Sequence, residues 1–435
     1  MDSFYRDDWN GSGNHDWARC GPMRDAVVSS WRVRTMNDLD ATSGYGRAVA
    51  RPDPLLSGVA AGTPCGEFLR RYWHPIAESA KVSTEPQKIR LLGEDLVLFR
   101  DGAGRPGLLY SRCMHRGTTL YYGRVEKAGI RCCYHGWLFD VQGHCLNQPC
   151  EPGGGKNLHH ARQPWYPVEE RYGLVFAYLG PLAKKPVLPR YDNLEDLQEG
   201  ETIGAFVGGF GSSADRSLHE VPHSWLHMND NCMDPFHVHI LHSTFSTVQF
   251  DAAFAVVPEV EFFGSDHGVS YSAVRTMPDG RAIRRVSTWF MPNVATVLDL
   301  QMKPRRSSGI SWFVPVDETH YAHAIVSKVP EGMSLKELTL LNGKRWSEMS
   351  EEEHRRTPGD YEAQVGQGPV SLHSEEHLVT SDRGIVMQRQ MLRQQIAAVA
   401  EGKDPTGTAF SEADALVNVR AGNYALTAPV IVSAG

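Results

Sequence analysis

Two short groups of sulfur and nitrogen donors, Cys113-Met-His115 and Cys132-Cys-Tyr-His135, lie sixteen residues apart and constrain this chain more than any other feature. Each pair is close enough in sequence to sit on one tight loop, so the region that carries them must hold two loops face to face. A structural zinc site also takes two cysteines and two histidines, but its knuckles usually pair like with like. Here each loop offers one thiolate and one imidazole. That is the arrangement a two-iron, two-sulfur cluster with mixed ligation needs, with two thiolates on one iron and two imidazoles on the other. Imidazoles in place of thiolates remove negative charge from the cluster and raise its potential. Cys133 is also near His135, but the Cys-x-x-His pattern selects Cys132.

The length of 435 residues predicts two or three domains. With 41% hydrophobic and 22% charged residues, the composition is that of a globular enzyme. A net charge of −7 argues against a nucleic-acid partner. Met1 to Asn10 contain no apolar core of a signal peptide, and no long uncharged apolar run occurs later, so a cytoplasmic protein with no membrane partner is expected. Four of the eight cysteines fall between Cys113 and Cys145, which reads as ligands and core residues instead of a disulfide framework.

Residues 1–50, rich in Asp, Asn, Gly, Ser and Arg, read as a poorly ordered arm. A short helix over Cys65–Trp73 leads into a small antiparallel β region, where runs such as Leu96–Arg100, Gly107–Ser111 and Tyr172–Leu179 are punctuated by Gly and Pro. Pro181–Pro189 has the proline density of an interdomain link. Beyond it, strands are expected at Gly268–Val274, Ala295–Leu300 and Ile310–Val314. A helix follows over Gly384–Gly402, with Ile385, Leu392, Ile396 and Val399 inward and Arg389, Arg393 and Gln395 elsewhere. Strands before helices give an α+β class. The expected boundaries are a first domain over 51–183 and a second over 184–435.

Cys113-Met-His115-Arg-Gly and Cys132-Cys-Tyr-His135-Gly-Trp resemble the Rieske signature of ring-hydroxylating oxygenases, in the phthalate-dioxygenase-like branch. The resemblance runs from about residue 55 onward and includes Gly62-Thr-Pro-Cys-Gly66 and the stretch Trp312–His320; the first fifty residues match nothing. It implies an all-β Rieske [2Fe-2S] domain followed by a helix-grip catalytic domain, with Cys113 and Cys132 on one iron and His115 and His135 on the other. Such an oxygenase also needs a mononuclear Fe(II), held by two histidines and a carboxylate. Asp230-Asn-Cys-Met-Asp234-Pro-Phe-His237-Val-His-Ile-Leu-His242 resembles the family's iron motif, with Asp230 where Glu is usual. On an ideal helix, residues five apart diverge by about 140°, so spacing alone would choose His239 with His242. The resemblance chooses His237 and His242, which requires a widened or broken turn. It also selects Asp360 as third ligand, with Asp382 next and Glu362 third; Asp382 alternatively caps the helix beginning near Gly384. Asp234, three residues before His237, is close enough to hold its imidazole. By resemblance Asp234 also bridges to His135 of a neighbouring subunit in a homotrimer.

Two motifs compete. Gly102-Ala-Gly104-Arg-Pro-Gly107 formally matches a dinucleotide fingerprint but precedes a strand, so it reads as a hairpin loop and electrons must come from a separate reductase or ferredoxin. His373-Ser-Glu-Glu-His377 matches an inverted zinc-protease pattern but leaves the paired Cys/His loops unexplained, as does a Rieske electron carrier for Asp234–His242. The expectation is an O2- and reductase-dependent hydroxylase or dealkylase of an aromatic or xenobiotic compound, with a cis-dihydroxylating dioxygenase as the alternative. A carboxylated substrate would want a buried arginine, and Arg281, Arg284, Arg285, Arg305 and Arg306 are available.

Overall fold

The computed structural model describes residues 49–156, 158–209, 220–245, 249–265, 267–333, 335, 344 and 348–426. The expected N-terminal arm therefore lies, but for residues 49 and 50, outside the described residues.

Short strands fill the region through residue 178, as the punctuated apolar runs predict. One four-stranded sheet pairs Gln87–Leu91, Glu94–Arg100, Pro106–Tyr110 and Trp165–Tyr166 in that order, and a second pairs Arg124–Glu126, Gly129–Arg131, Leu138–Phe139 and Cys145–Asn147. A third has Leu174–Tyr178 between Trp73–Glu78 and Val168–Arg171. The helix expected over Cys65–Trp73 is shorter, Pro64–Leu69, capped by the Thr63 side chain. Tyr72 and Trp73 are buried where the chain turns extended.

Beyond residue 200 one antiparallel sheet dominates. Along its main path run Glu201–Gly208, Tyr321–Pro330, Gly309–Pro315, Val294–Val297, Ala282–Phe290, Gly268–Thr276 and Glu259–Ser265. The 18-residue helix Arg383–Ala400 lies on this sheet, the helix-on-sheet arrangement of the expected α+β class. Strands do not all precede helices, however. Gly422–Leu426 follows the long helix and pairs with Ala282–Val286. The helix buries Ile385, Leu392 and Ile396 as periodicity demands, but it also buries Arg389, which was expected to face elsewhere. The reason is charge pairing, described below.

The two regions share one core. Trp312 packs edge-on against Phe176 and Tyr191, with ring centres 5.6 and 5.7 Å away, contacts worth about 0.5–1.5 kcal/mol each beyond burial. The turn at Leu92-Gly93 donates its amides to the carbonyls of Pro315 and Val316. Leu92 takes φ +49° there, a left-handed conformation costing roughly 1–2 kcal/mol. Its side chain is fully buried, and that burial, about 1.5–3 kcal/mol, outweighs the strain. The expected link over Pro181–Pro189 is a packed strap, with Leu188 buried, the Trp73 indole donating to the Pro186 carbonyl and the Val187 amide to Ala409.

Gly384, in the first turn of the long helix, is where the helix approaches the site most closely. A Cβ there would stand 2.4 Å from Phe262 Cε1 and 2.6 Å from the Met233 carbonyl oxygen. Gly384→Ala should therefore destabilise the fold by about 1–3 kcal/mol through overpacking, read as a lowered denaturation midpoint; an unchanged midpoint would mean that the backbone at Met233 yields freely.

Candidate metal centres

Both Cys/His loops fold by the same local rule. The Cys113 amide donates to the Thr118 carbonyl and the Gly117 amide to the Cys113 carbonyl; likewise Cys132 donates to Trp137 and Gly136 to Cys132. Closing each loop needs a left-handed residue, and glycine supplies it at φ +77° (Gly117) and +71° (Gly136). The loops put Cys113 and Cys132 inside and leave His115 and His135 half-exposed, with ring centres 4.6 Å apart. Burial, with the neighbouring Cys132 thiol, pushes the Cys113 thiol up to about 12. A buried thiol pair beneath an imidazole pair suits a two-iron cluster whose histidine-bound iron faces outward. Cys133 is exposed.

Sequence reasoning missed two supports of this centre. The fully buried Gln163 accepts the Met114 amide at 2.7 Å and donates to the carbonyls of Tyr110 and Arg112. Trp137 stacks flat on the His115 ring at 4.4 Å. Trp137 lay within the quoted signature, whereas nothing in the sequence marks Gln163.

The second centre begins on the helix Trp225–Cys232, capped by Ser224. After a break at Met233–Phe236 the chain makes one α turn, His237–His239, and then a π-helical turn, Ile240–Phe245. Bonds running i to i+5 bring residues five apart onto one side, and the rings of His237 and His242 are 5.5 Å apart. The widened turn removes the ideal-helix argument for His239, whose Nδ1 is buried without a hydrogen-bond partner among the described residues.

Asp360 arrives from the start of the helix Asp360–Val365, and its Oδ1 lies 3.1 Å from His242 Nε2 and 3.4 Å from His237 Nε2. His237, His242 and Asp360 each bring a ligand atom within 4.8 Å of the others. Asp382 does not join them. It starts the long helix, but its carboxylate turns back to the Val379 amide instead of capping the helix. Glu362 accepts the Gly359 amide and pairs with His354.

Carboxylates and amides set the imidazoles. Asp234 accepts the amides of Phe236 and His237, and its Oδ2 is 3.5 Å from His237 Nδ1. Burial alone would depress the His237 imidazole, but Asp234 and Asp360 lift it to about 10. A divalent cation shared with Asp360 would take that proton's place. Gln249 Oε1, 2.7 Å from His242 Nδ1, orients the other ring, and Asn231 donates to Asp360 at 2.9 Å. Asn231 stood in the quoted motif; no sequence signal pointed to Gln249.

A buried ion triad holds these elements. Arg389 of the long helix donates to both oxygens of Asp230, at 3.2 and 2.6 Å, and also to Glu376. The two competing motifs dissolve. Gly102–Gly107 spans a hairpin turn, and the His373–His377 stretch has only a 3-10 turn over His373–Glu375, with His373 accepting the Asp53 amide. Of the arginines, Arg281 pairs with Asp279, Arg305 with Asp299, and Arg306 with Asp192 and Asp196. Arg284 is half-buried and Arg285 buried.

Residues 72–166 match the model of the Rieske [2Fe-2S] domain. The chain is 56% identical over 388 residues, 89% of its length and 95% of the relative's, to the phenoxybenzoate dioxygenase subunit alpha of Ectopseudomonas oleovorans. It is 36% identical to the tert-butanol monooxygenase / tert-amyl alcohol desaturase oxygenase subunit of Aquincola tertiaricarbonis, covering 86% of this chain and 80% of that one. Its fold matches the crystal structure of dicamba monooxygenase bound to dicamba with TM-score 0.57 at 18% identity, over 77% of this chain and 99% of that one. No described helix is long and apolar enough to cross a membrane.

His237→Ala and Asp360→Ala should each lose the iron in excess of acid-labile sulfide while the cluster stays, and His239→Ala should keep both. Gln249→Leu should weaken iron binding by about 10–100-fold. Metal and sulfide analysis of the four purified variants checks this. Loss of the extra iron from His239→Ala alone would move the centre.

Proposed function

Because the chain belongs to the Rieske non-haem iron oxygenases, as an oxygenase (alpha) component, we propose that it oxygenates an aromatic substrate of the aryl-ether class. Electrons come from a separate reductase, directly or through a ferredoxin. The reading rests on the convergence of His237, His242 and Asp360, a two-histidine, one-carboxylate set that leaves positions on iron open for dioxygen beside the substrate. In it Cys113 and Cys132 hold one cluster iron, His115 and His135 the other, with the cluster carried by residues 51–183 and the mononuclear iron by 184–435. Bound there, the cluster supplies single electrons and ferrous iron supplies the activation of dioxygen.

The chain's own groups do the positioning. Asp234 beside His237 Nδ1 and Gln249 beside His242 Nδ1 fix each ring so that its Nε2 lone pair faces the metal. Asn231, donating to Asp360 Oδ1, orients the carboxylate. The Phe250 ring, 4.6 Å from His242, gives the site an apolar wall that keeps water away and suits an aromatic substrate. The 56% relative bears a dioxygenase's name, which favours addition of both oxygen atoms over the hydroxylation or dealkylation expected from sequence. We place the protein in the cytoplasm as a homotrimer, with Asp234 of one subunit joining His237 to His135 of the next.

Reconstitution with NADH, a reductase, isotopically labelled dioxygen and 3-phenoxybenzoate tests the reading. Two labelled atoms in the product are expected, and none should form without the reductase. One labelled atom would make the enzyme a monooxygenase, and no oxygen uptake with any aryl ether would remove the substrate class. Asp234→Asn should keep a dithionite-reducible cluster, seen by its electron paramagnetic resonance, while turnover falls about 100-fold or more, in line with the loss of groups that hold a metal-bound histidine.

A further inference from the structure

The catalytic region buries one positive charge that nothing among the described residues answers. Arg275, on the strand Gly268–Thr276, is 1% exposed. Its Nε and Nη1 have no hydrogen-bond partner, and no described carboxylate pairs with it. An unpaired buried guanidinium is strongly unfavourable and is kept in a fold when something else supplies its counter-charge. Burial depresses Arg275 to about 10, with the charge of Arg285 adding to the effect, so it stays cationic at neutral pH.

Its neighbour shows the contrast. Arg285 is also buried, on the adjoining strand opposite Ala273, but its Nη1 donates to the Asp299 carbonyl at 3.0 Å and to Asn423 Oδ1 at 3.2 Å. Both guanidiniums sit over one ring, that of Phe254, at 5.1 and 5.3 Å. Phe254 meets Phe250 at 6.0 Å, and Phe250 meets the iron-side His242 at 4.6 Å. An aromatic path thus joins the unanswered charge to the metal centre. Neither Arg281 nor Arg305 or Arg306 offers such a charge, because each is tied to a carboxylate.

We propose that Arg275 is the anion subsite of the substrate pocket: it receives a carboxylate of the aromatic substrate through Nε and Nη1, with the substrate's ring along Phe254 and Phe250 and its reacting carbon toward His242. Nε and one Nη form the fork that matches the two oxygens of a carboxylate. This deepens the aryl-ether reading and rests on it for the ring. The subsite selects acids over neutral aryl compounds, because a neutral ligand would leave the guanidinium desolvated and unpaired.

The test is calorimetric titration and thermal melting of the iron-loaded protein with 3-phenoxybenzoate, 3-phenoxybenzamide, diphenyl ether and benzoate, in wild type, Arg275→Gln, Arg275→Lys and the surface control Arg281→Gln. Wild type and Arg281→Gln should bind the acid on the order of 100-fold more tightly than the amide. Arg275→Gln should bind acid and amide alike, Arg275→Lys should recover part of the preference, and unliganded Arg275→Gln should melt no lower than wild type, since it removes an unpaired buried charge. Equal binding of acid and amide by wild type, or an undiminished preference in Arg275→Gln, overturns the subsite. So does a lower melting point in both Arg275 variants without ligand, which marks a structural arginine. If wild type binds no aryl ether but benzoate stabilises it through Arg275, the subsite stands and the aryl-ether reading falls.

Discussion

The fork of Arg389 between Asp230 and Glu376 is the contact on which the catalytic region turns. Asp230 lies on the helix that leads into His237 and His242, and Glu376 lies on the connection between the Asp360 helix and the long helix. One buried guanidinium therefore fixes the relative position of the segments that deliver all three candidate ligands. Desolvation makes such a cluster expensive to assemble and removal of one partner more expensive still, about 3–5 kcal/mol. Burial raises Asp230, and its two carboxylate neighbours hold Arg389 firmly protonated. Gln388, one residue earlier, adds a second tie by donating to the Asn229 carbonyl at 3.0 Å. Geometry at the metal is thus set from behind, by a helix that carries no ligand.

How far the sequence reveals this depends on the range of the interaction. The cluster loops are local, and spacing, glycine and signature aromatics all fall within the stretch from Cys113 to Trp137. The strand runs are local too, and their alternation marked most of the sheet. Arg389 looked like a surface residue because its periodicity was read against an apolar core, whereas its partners come from positions 230 and 376. Gln163, Gln249 and Arg275 were invisible for the same reason: a glutamine or an arginine acquires its role from what faces it across the fold. His239 shows a different limit. Spacing rules assume a regular helix, and the π turn at Ile240–Phe245 changes which residues share a side.

Two centres in one chain use opposite electrostatic designs. At the cluster loops the buried donors are thiols, with imidazoles toward solvent and aromatic contacts from Trp137 and Tyr134. At the second centre two carboxylates, Asp234 and Asp360, flank one imidazole, and both are held low through His237 despite the opposing effect of their burial. The first environment favours a cluster with little net charge, and the second a dication.

The late strand Gly422–Leu426 also orders the protein's biosynthesis. Asn423 meets Arg285 from 138 residues further along the chain, so the strand Ala282–Phe290 must wait with open backbone groups until the ribosome has delivered the closing segment. At about 5–20 residues per second that interval is of order ten seconds. The cluster loops, whose sheets are complete by residue 178, emerge well before then. A nascent chain can thus present a finished cluster-binding face to its assembly machinery while the oxygen-activating half is still unfolded, which separates the loading of the two irons in time.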